Sequence, residues 1–332
     1  MKPTLGLLLG DRNGIGPEIA VRLADRAETR AAANVVLIGD PQVLEHGQTV
    51  AGIDLNARRI DDPAEIGDAD GGTLFLTFTT GANEITVGEV SAAAGKECLE
   101  GLVYAAGLAQ DGRIDGFVFA PLNKAAMHAG GLRHEDEMRY LQEVLAYDGL
   151  VGELNVLDNL WTSRVTSHVP ISGVAELITE RNVLDGIELA HAALSAAGYS
   201  PPRLAVCGLN PHAGDGGNFG REEIDVIRPA IETARARGIE ASGPWPSDTV
   251  FVKARDGDYD AVVTMYHDQG QIAMKLMGFG RGVTVLGGLP VPITTAGHGT
   301  AYDIAGKGIA GIDSMVAAWD LCSRMAASRR AA

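Results

Sequence analysis

The sequence predicts an α/β fold of two α/β/α domains with mostly parallel sheets flanking a cleft. Short apolar runs alternate with longer segments that are apolar at helical spacing, as at residues 4–9, 91–110 and 116–120. This βαβα order predicts parallel strands joined by crossover helices. At 332 residues, the chain is also long enough for two domains.

The first part of the chain shows this order most clearly. The run at 4–9 is a predicted strand, and the turn at 10–18 opens a helix that has Pro17 in its first turn and continues to residue 27. The segment at 91–110 is a predicted crossover helix, and the strand at 116–120 stops at a turn where a new helix begins. Further strands are predicted at 34–39 and 73–78, with a short helix from residue 41.

The middle and the end of the chain repeat the theme. Strands are predicted at 161–167, 203–209, 261–265 and 282–286, and helices at 135–147, 181–197, 222–237 and 312–328. Because no linker marks a clean boundary, we expect a discontinuous layout. The first domain is predicted to contain residues 1–130 and 285–332, the second residues 131–284, and the site is expected in the cleft between them.

Composition excludes several classes of function. The formal charge of −16 disfavours nucleic-acid binding, because a phosphate backbone demands a basic surface. Three scattered cysteines do not make a disulfide framework. No apolar run approaches the roughly 20 residues of a membrane helix, and the first residues lead directly into a strand. We therefore expect a cytoplasmic enzyme that binds neither nucleic acid nor membrane.

Three predicted strands end in a histidine beside a turn. His267 follows the apolar run 261–265 and is followed by Asp268, Gly270 and, further on, Lys275. His168 and His212 follow two other strands in the same way. Three imidazoles with an open fourth position are typical of a catalytic Zn²⁺ or related divalent site. The alternative is that each is an ordinary turn histidine bonded to backbone.

Two glycine-rich loops bear on ligand binding. In the loop 210–220, small residues allow backbone amides to approach a ligand closely, although a long surface loop would have the same composition. The turn at 10–16 does not fit the dinucleotide fingerprint Gly-x-Gly-x-x-Gly, and no Walker lysine or Gly-x-Ser-x-Gly elbow is present. The usual dinucleotide-binding and nucleophilic-serine interpretations are therefore weak.

The segment 297–310, Gly-His-Gly-Thr-Ala-Tyr-Asp-Ile-Ala-Gly-Lys-Gly-Ile-Ala, closely resembles the cofactor loop of the β-decarboxylating isocitrate and isopropylmalate dehydrogenases. A second resemblance covers nearly the whole chain. The motifs at 10–18, 120–124, 167–170, 210–214, 247–249 and 266–270 resemble the 4-hydroxythreonine-4-phosphate dehydrogenase family of pyridoxal phosphate biosynthesis. This resemblance implies a two-domain homodimer with its active site at the subunit interface.

The resemblance also implies roles for individual residues. The positions that match the metal ligands are His168, His212 and His267, with His168 expected from the other subunit. Lys275 and His134 match substrate contacts. The matching nicotinamide site, for NAD or NADP, comprises Gly297, His298, Gly299, Thr300, Ala301 and Asp303.

The family reaction oxidises a secondary alcohol, and the resulting β-keto acid loses carbon dioxide. A divalent ion, Zn²⁺, Mg²⁺, Mn²⁺ or Co²⁺, suits both steps because it stabilises negative charge on oxygen. Lys275 would assist proton transfer or hold the carboxylate, or alternatively is a solvated surface lysine. Asp248 and Asp268 are candidates for orienting imidazoles or water, or alternatively are helix and turn caps.

Four positions of the expected substrate and cofactor sites depart from the family pattern. Glu135 replaces a threonine, Thr284 an asparagine, Ile293 an arginine, and Gly297 an aspartate. Glu135 would repel a phosphate by up to about 4 kcal/mol at ~4 Å and an effective dielectric of about 20. Arg133, Arg139 and Arg281 are candidates to compensate for the lost arginine.

These departures leave the substrate open. A phosphorylated hydroxythreonine or threonate-type acid fits the family. An unphosphorylated substrate fits the departures, which resemble the branch that oxidises cis-dihydrodiols of aromatic carboxylates such as terephthalate. A non-redox, acyltransferase-like or ligand-binding relative is the alternative of another class.

Overall fold

A computed structural model describes residues 2–68, 72–81 and 84–331. The chain divides into two compact units, here called unit 1 (Met1–Asp148 with Leu289–Ala332) and unit 2 (Gly149–Gly288). We predicted the first boundary at residue 130. The later boundary has a physical reason: Leu132 and Tyr140 pack with Cys98, Leu99 and Met127, so the segment after residue 130 shares the core of unit 1.

Unit 1 contains a parallel sheet. Its strands, in spatial order and numbered along the chain, are β3 (Ala57–Ile60), β4 (Thr73–Thr77), β2 (Asn34–Gly39), β1 (Thr4–Leu8), β5 (Gly116–Phe119) and β12 (Ile293–Ala296). Every pairing between these neighbours is parallel. Apart from the polar, half-buried first residues of β1 and β2, the central strands are apolar and buried, which is the composition expected of a parallel sheet covered on both faces.

The helices of unit 1 pack as two groups. One group contains α1 (Gly16–Asp25), α2 (Ala27–Ala32), α3 (Pro41–Ala51) and α12 (Asp313–Ala331). The other contains α4 (Ala92–Gln110), α5 (Lys124–Ala129) and α6 (Glu137–Val144). The helix predicted at 135–147 begins at Glu137 because Asp136 caps it, its carboxylate accepting a hydrogen bond from the Arg139 amide at 2.9 Å.

Unit 2 has a mixed sheet. Its spatial order is β11 (Val283–Gly287), β6 (Gly152–Leu157), β7 (Leu160–Arg164), β10 (Ala261–Thr264), β8 (Leu204–Cys207) and β9 (Ala241–Trp245). Strand β6 is antiparallel to both neighbours, whereas β7, β10, β8 and β9 are mutually parallel. The helices are α7 (Ile171–Leu177), α8 (Glu180–Ala196), α9 (Arg228–Ala236), α10 (Ser247–Arg255) and α11 (His267–Gly278).

The predicted fold class, α/β with mostly parallel strands and flanking helices, is confirmed. Sequence reasoning missed β3, β6, β9 and β12, which are short and carry polar, proline or threonine residues in place of an apolar run. It also missed α10. Among the described residues, no helix combines the length and the apolar character that crossing a membrane requires.

The three cysteines, Cys98, Cys207 and Cys322, are buried and unpaired with one another. Burial raises the pKa of the Cys207 thiol and raises that of Cys322 to about 12. Both thiols are therefore protonated at neutral pH and are not nucleophiles there.

A buried ion pair lies at the β1–α1 turn of unit 1. Arg12 is 1% exposed, its Nε donates to Glu97 Oε2 at 2.5 Å, and Asp40 Oδ2 lies 4.0 Å from its Nη2. Removing one partner of a buried pair leaves the other charge uncompensated. Arg12 therefore fixes the turn that connects β1 to α1.

We expect Arg12→Met to lower the free energy of unfolding by about 3–5 kcal/mol, because Glu97 would stay buried without its cation. The measurement is thermal or urea unfolding followed by circular dichroism. Arg221→Met is the matched control, since Arg221 pairs with Asp225 while 65% exposed and should change stability little. Equal losses in the two variants would contradict the structural role of the buried pair.

Candidate active site

Three adjacent parallel strands of unit 2 each end in one of the predicted histidine turns. His168 follows β7, His267 follows β10 directly, and His212 follows β8. Because β10 lies between β7 and β8 and all three run in the same direction, the three turns leave the sheet at one edge. The carboxyl edge of parallel strands is where α/β enzymes place their ligands.

Backbone hydrogen bonds extend the pairing of β7 and β10 beyond the strands. The amide of Val165 donates to Thr264 O at 2.8 Å, and that of Thr166 to Met265 O at 3.1 Å. The Thr166 hydroxyl also donates to Met265 O at 2.8 Å. The segments that carry His168 and His267 are thus held together up to the residues next to the histidines.

Gln269 connects the ends of β10 and β8. Its Oε1 accepts the Met265 amide at 2.7 Å, and its Nε2 donates to Gly208 O at 2.9 Å. One side chain therefore satisfies a donor after β10 and an acceptor after β8. This contact fixes the separation of the segments that lead to His267 and His212.

His168 and His267 lie beside each other within one chain. Their ring centroids are 5.8 Å apart. The Nδ1 atom of His267 lies 2.8 Å from Asp268 Oδ1, so a carboxylate orients the ring. A carboxylate on the second ring nitrogen is the usual partner of a metal-binding histidine.

His212 lies in an unusual backbone segment. Residues 212–217 all have positive φ, including the non-glycine residues His212 (53°), Ala213 (52°) and Asp215 (44°). Each non-glycine residue in the left-handed region costs roughly 1–2 kcal/mol. Such strain persists only where surrounding contacts impose it, and it is concentrated at functional sites. The His212 side chain is exposed and its ring centroid lies 6.2 Å from that of Phe219.

Lys275 and Asp248 are the other candidate catalytic residues, on helices that begin at or near the same edge, whereas Thr284 is a candidate substrate contact in a strand. Lys275 is exposed near the end of α11, two turns after His267. Asp248 is exposed in the first turn of α10, just after β9. Thr284 is 7% exposed in β11, and its hydroxyl accepts a weak hydrogen bond of 3.4 Å from Asn155.

In unit 1, the loop predicted to bind a nicotinamide cofactor follows β12 and is anchored to the β1–α1 turn. Ile15 N donates to Thr300 O at 3.1 Å, and Asn123 Nδ2 to Thr300 Oγ1 at 3.4 Å. A Cβ at Gly14 would lie 2.8 Å from Thr300 Cβ, so this approach requires glycine. Of the six residues predicted to contact the cofactor, Gly297, Gly299 and Asp303 are exposed, and His298 is half-buried between the two glycines.

Asp11 and Tyr302 form the second anchor of this loop. The Tyr302 hydroxyl donates to Asp11 Oδ2 at 2.6 Å, and the Asn13 amide donates to Oδ1 at 2.9 Å. Burial raises the pKa of the Asp11 carboxyl, while these two hydrogen bonds act in the opposite direction. Burial and the Asp11 contact together raise the pKa of Tyr302, so its hydroxyl is a permanent donor near neutral pH.

The model of the pyridoxal phosphate biosynthetic protein PdxA family matches residues 31–322. A Pseudomonas aeruginosa relative, provisionally named 4-hydroxythreonine-4-phosphate dehydrogenase 2, is 48% identical over 327 residues, 97% of each chain. The chain belongs to the PdxA family. It is accordingly an oxidoreductase of the dehydrogenase type acting on a CH–OH group. A D-threonate 4-phosphate dehydrogenase from Cupriavidus necator is 39% identical, covering 95% of both chains.

Solved structures agree with membership in the PdxA family. A 4-hydroxythreonine-4-phosphate dehydrogenase from Klebsiella pneumoniae has a TM-score of 0.85 at 35% identity, covering 98% of each chain. A terephthalate 1,2-cis-dihydrodiol dehydrogenase from Burkholderia xenovorans LB400 is less similar, with a TM-score of 0.69 at 30% identity, covering 97% of this chain and 98% of that one. The comparisons therefore do not favour the dihydrodiol alternative.

More distant structures share the fold alone. A β-decarboxylating dehydrogenase from Thermococcus kodakarensis has a TM-score of 0.53 at 16% identity, with 96% of this chain and 81% of that chain covered. This likeness agrees with the predicted isocitrate and isopropylmalate dehydrogenase-like fold. The dehydrogenase names among the PdxA-family relatives do not favour the non-redox alternative.

Two positions at which this PdxA-family chain departs from the expected pattern are Ile293 and Glu135, and His134 next to Glu135 matches that pattern. Ile293 is 0% exposed in β12, so its side chain offers no surface to a substrate, and we do not retain it as a contact. Glu135 is exposed in unit 1. His134 is partly exposed, and its Nε2 lies 2.9 Å from Glu143 Oε2.

The three arginines that were candidates to compensate for the missing family arginine lie in different parts of the chain. Arg281 pairs with Asp158 at 3.1 Å beside the turn where β7 begins, at the edge of unit 2 opposite to the histidine turns. It is therefore excluded as a partner of a ligand at the histidine edge. Arg139 and Arg133 are exposed in unit 1, and Arg139 donates to Gln142 Oε1 at 2.9 Å.

Sequence reasoning missed Arg164 and Gln269, which support the histidine turns. Arg164 donates to Ser167 Oγ at 3.1 Å, to Asn155 Oδ1 at 2.8 Å and to Glu153 Oε2 at 2.5 Å. Ser167 directly precedes His168, so Arg164 steadies that turn. The sequence signal that could have indicated Arg164 is its position as the one charged residue at the end of the otherwise buried strand β7.

We expect Gln269→Met to lower the free energy of unfolding by about 1–3 kcal/mol, because the Met265 amide and the Gly208 carbonyl both lose a partner. The measurement is the urea midpoint with its slope. Gln110→Met is the control, since Gln110 is exposed and donates a long hydrogen bond of 3.4 Å to Leu145 O. If the two variants shift the midpoint equally, Gln269 does not hold the strand ends together.

Proposed function

We propose that this protein is a divalent-metal-dependent NAD(P) dehydrogenase that oxidises a secondary alcohol of a phosphorylated hydroxy acid, followed by decarboxylation. The observation that carries the proposal is the placement of three histidines at the carboxyl ends of three adjacent strands. The names of the relatives, 4-hydroxythreonine-4-phosphate and D-threonate 4-phosphate dehydrogenase, support the substrate class.

The residues of unit 2 fit a divalent cation. The proposed ligands are His168, His212 and His267, a donor set that suits Zn²⁺ and related ions and leaves a position for substrate. The adjacency of the His168 and His267 rings and the Asp268 contact of His267 support this assignment. When bound, the cation would supply positive charge that stabilises oxygen as the alcohol is oxidised and the acid loses carbon dioxide.

The residues of unit 1 fit a nicotinamide cofactor. The proposed site is the loop after β12, with Gly297, His298, Gly299, Thr300, Ala301 and Asp303. Its anchoring by Ile15, Asn123 and Tyr302 would keep the backbone in place before the cofactor binds. Preorganisation of this kind lowers the ordering cost of binding.

Charged side chains would hold and orient the substrate. We assign the substrate's anionic group to Lys275, a residue that lies about 12 Å along the axis of α11 from His267. Among the described residues, none forms a hydrogen bond or ion pair with Lys275. Asp268 would orient the His267 ring, and Asp248, exposed at the start of α10, would accept or relay the proton released by the alcohol.

We further propose a homodimer with the active site at the subunit interface. Large apolar side chains are exposed on the helices that follow two of the histidines. Ile272 and Leu276 are 59% and 84% exposed one turn apart on α11, and Ile171 is 71% exposed at the start of α7. An exposed apolar stripe of this kind supports an interaction surface.

The substrate assignment is tested by a screen for reduced nicotinamide with Zn²⁺, Mg²⁺, Mn²⁺ or Co²⁺ and with NAD⁺ or NADP⁺. The substrates are 4-phosphohydroxythreonine, phosphothreonate, phosphoerythronate and a terephthalate dihydrodiol. We expect metal-dependent oxidation and carbon dioxide release with a phosphorylated acid. Turnover of the dihydrodiol alone would contradict the substrate class, and turnover after complete chelation would contradict the role of the metal.

We expect Asp268→Asn to weaken the affinity for Zn²⁺ or Co²⁺ by about 10–100-fold, because the His267 ring loses the carboxylate that orients it. Isothermal titration calorimetry on metal-free protein measures this directly. Asp256→Asn is the control, as Asp256 is an exposed carboxylate next to Arg255 at the end of α10. An Asp268 variant with the affinity of the control would show that the carboxylate does not support a metal ligand.

A further inference from the structure

Glu223 is a buried carboxylate beside the left-handed segment that carries His212. It is 1% exposed and begins a single π-helical turn, Glu223–Ile227, that precedes α9. Isolated π turns are rare and are frequent at functional sites. A carboxylate in this position needs hydrogen-bond donors, because an unpaired buried charge is strongly unfavourable.

The donors come from the residues just before His212. Glu223 Oε1 accepts the amides of Leu209 at 2.8 Å and Asn210 at 2.7 Å. Glu223 Oε2 accepts Asn210 Nδ2 at 3.0 Å. All three contacts of one side chain therefore fall on the two residues through which the chain leaves β8 towards His212.

The glycine at position 214 fits the same contact. A Cβ at Gly214 would lie 2.6 Å from Glu223 Oε2, and Gly214 has a φ of +79°. The carboxylate thus occupies the concave side of the left-handed turn. Among the described residues, no hydrogen bond holds the imidazole of His212 itself, so the ring is positioned through its backbone.

We propose that Glu223 is a positioning residue that anchors Leu209 and Asn210 and thereby holds residues 212–217 in the left-handed conformation from which His212 binds the cation. This inference rests on the proposed function, in which His212 is a metal ligand. Glu223 acts through Leu209 and Asn210 and touches neither substrate nor cofactor. Without the Glu223 carboxylate, the backbone at His212 would adopt several conformations. The metal affinity would therefore fall even while unit 2 stays folded.

The test compares Glu223→Gln and Glu223→Ala with wild type. The glutamine keeps an oxygen for the Leu209 and Asn210 amides but points an amide donor at Asn210 Nδ2. We expect Co²⁺ affinity to fall about 10-fold for Glu223→Gln and about 100-fold for Glu223→Ala, in the range found for residues that support metal ligands. The visible spectrum of bound Co²⁺ should change as His212 becomes disordered. Hydrogen exchange at the Leu209 and Asn210 amides should accelerate in metal-free protein.

Two further variants distinguish positioning from a general loss of stability. Asp225→Asn removes the exposed pair with Arg221 two residues away and should leave Co²⁺ affinity and spectrum unchanged. Ala213→Gly in the Glu223→Gln background should restore part of the affinity, because glycine adopts positive φ without steric cost. Rescue at position 213 would not occur if Glu223 only stabilised the core.

The outcomes separate this inference from the proposed function. Wild-type Co²⁺ affinity and spectrum in both Glu223 variants would overturn the positioning role and leave the metal site intact. Failure of wild type to bind either Co²⁺ or Zn²⁺ would remove the proposed metal site, and the inference with it. Weaker binding, an altered spectrum and rescue by Ala213→Gly together would support it.

Discussion

The parallel pairing of β10 between β7 and β8 is the constraint on which the candidate site depends. It brings the residues after three strands, which are far apart in the sequence, to one edge of unit 2. A shift in this register would separate His267 from His168, whose rings are 5.8 Å apart. Burial of all four residues of β8 and of β10 makes such a shift costly, because it would break the packing of both strands.

Polar contacts then convert this edge into a defined arrangement of side chains. Gln269 joins the ends of β10 and β8, Arg164 steadies Ser167, and Glu223 holds the two residues that lead to His212. Each histidine turn therefore has its own support. The loop after β12 in unit 1 is held in a similar way, since the Tyr302 hydroxyl bonds Asp11 at the β1–α1 turn.

The sequence predicted the parts of this structure that depend on local pattern. Apolar runs ending in His168, His212 and His267 indicated strand ends, and the glycine-rich segment after residue 296 indicated a loop. Gln269 and Glu223 were not predictable, because their contacts join positions that are distant in the sequence: Gln269 reaches Gly208, 61 residues earlier. Ile293 was misjudged for the same reason, since β12 is short and threonine-rich and only its pairing with β5 shows that it is a buried strand.

The central claim is that three imidazoles share one cation. Crystals of protein loaded with Co²⁺ or Zn²⁺ test it most directly, through the anomalous signal of the metal. We predict one strong peak at about 2.0–2.1 Å from a nitrogen of each of His168, His212 and His267, whichever subunit contributes His168. A peak bound elsewhere, or one that lacks any of these three histidines, would contradict the account.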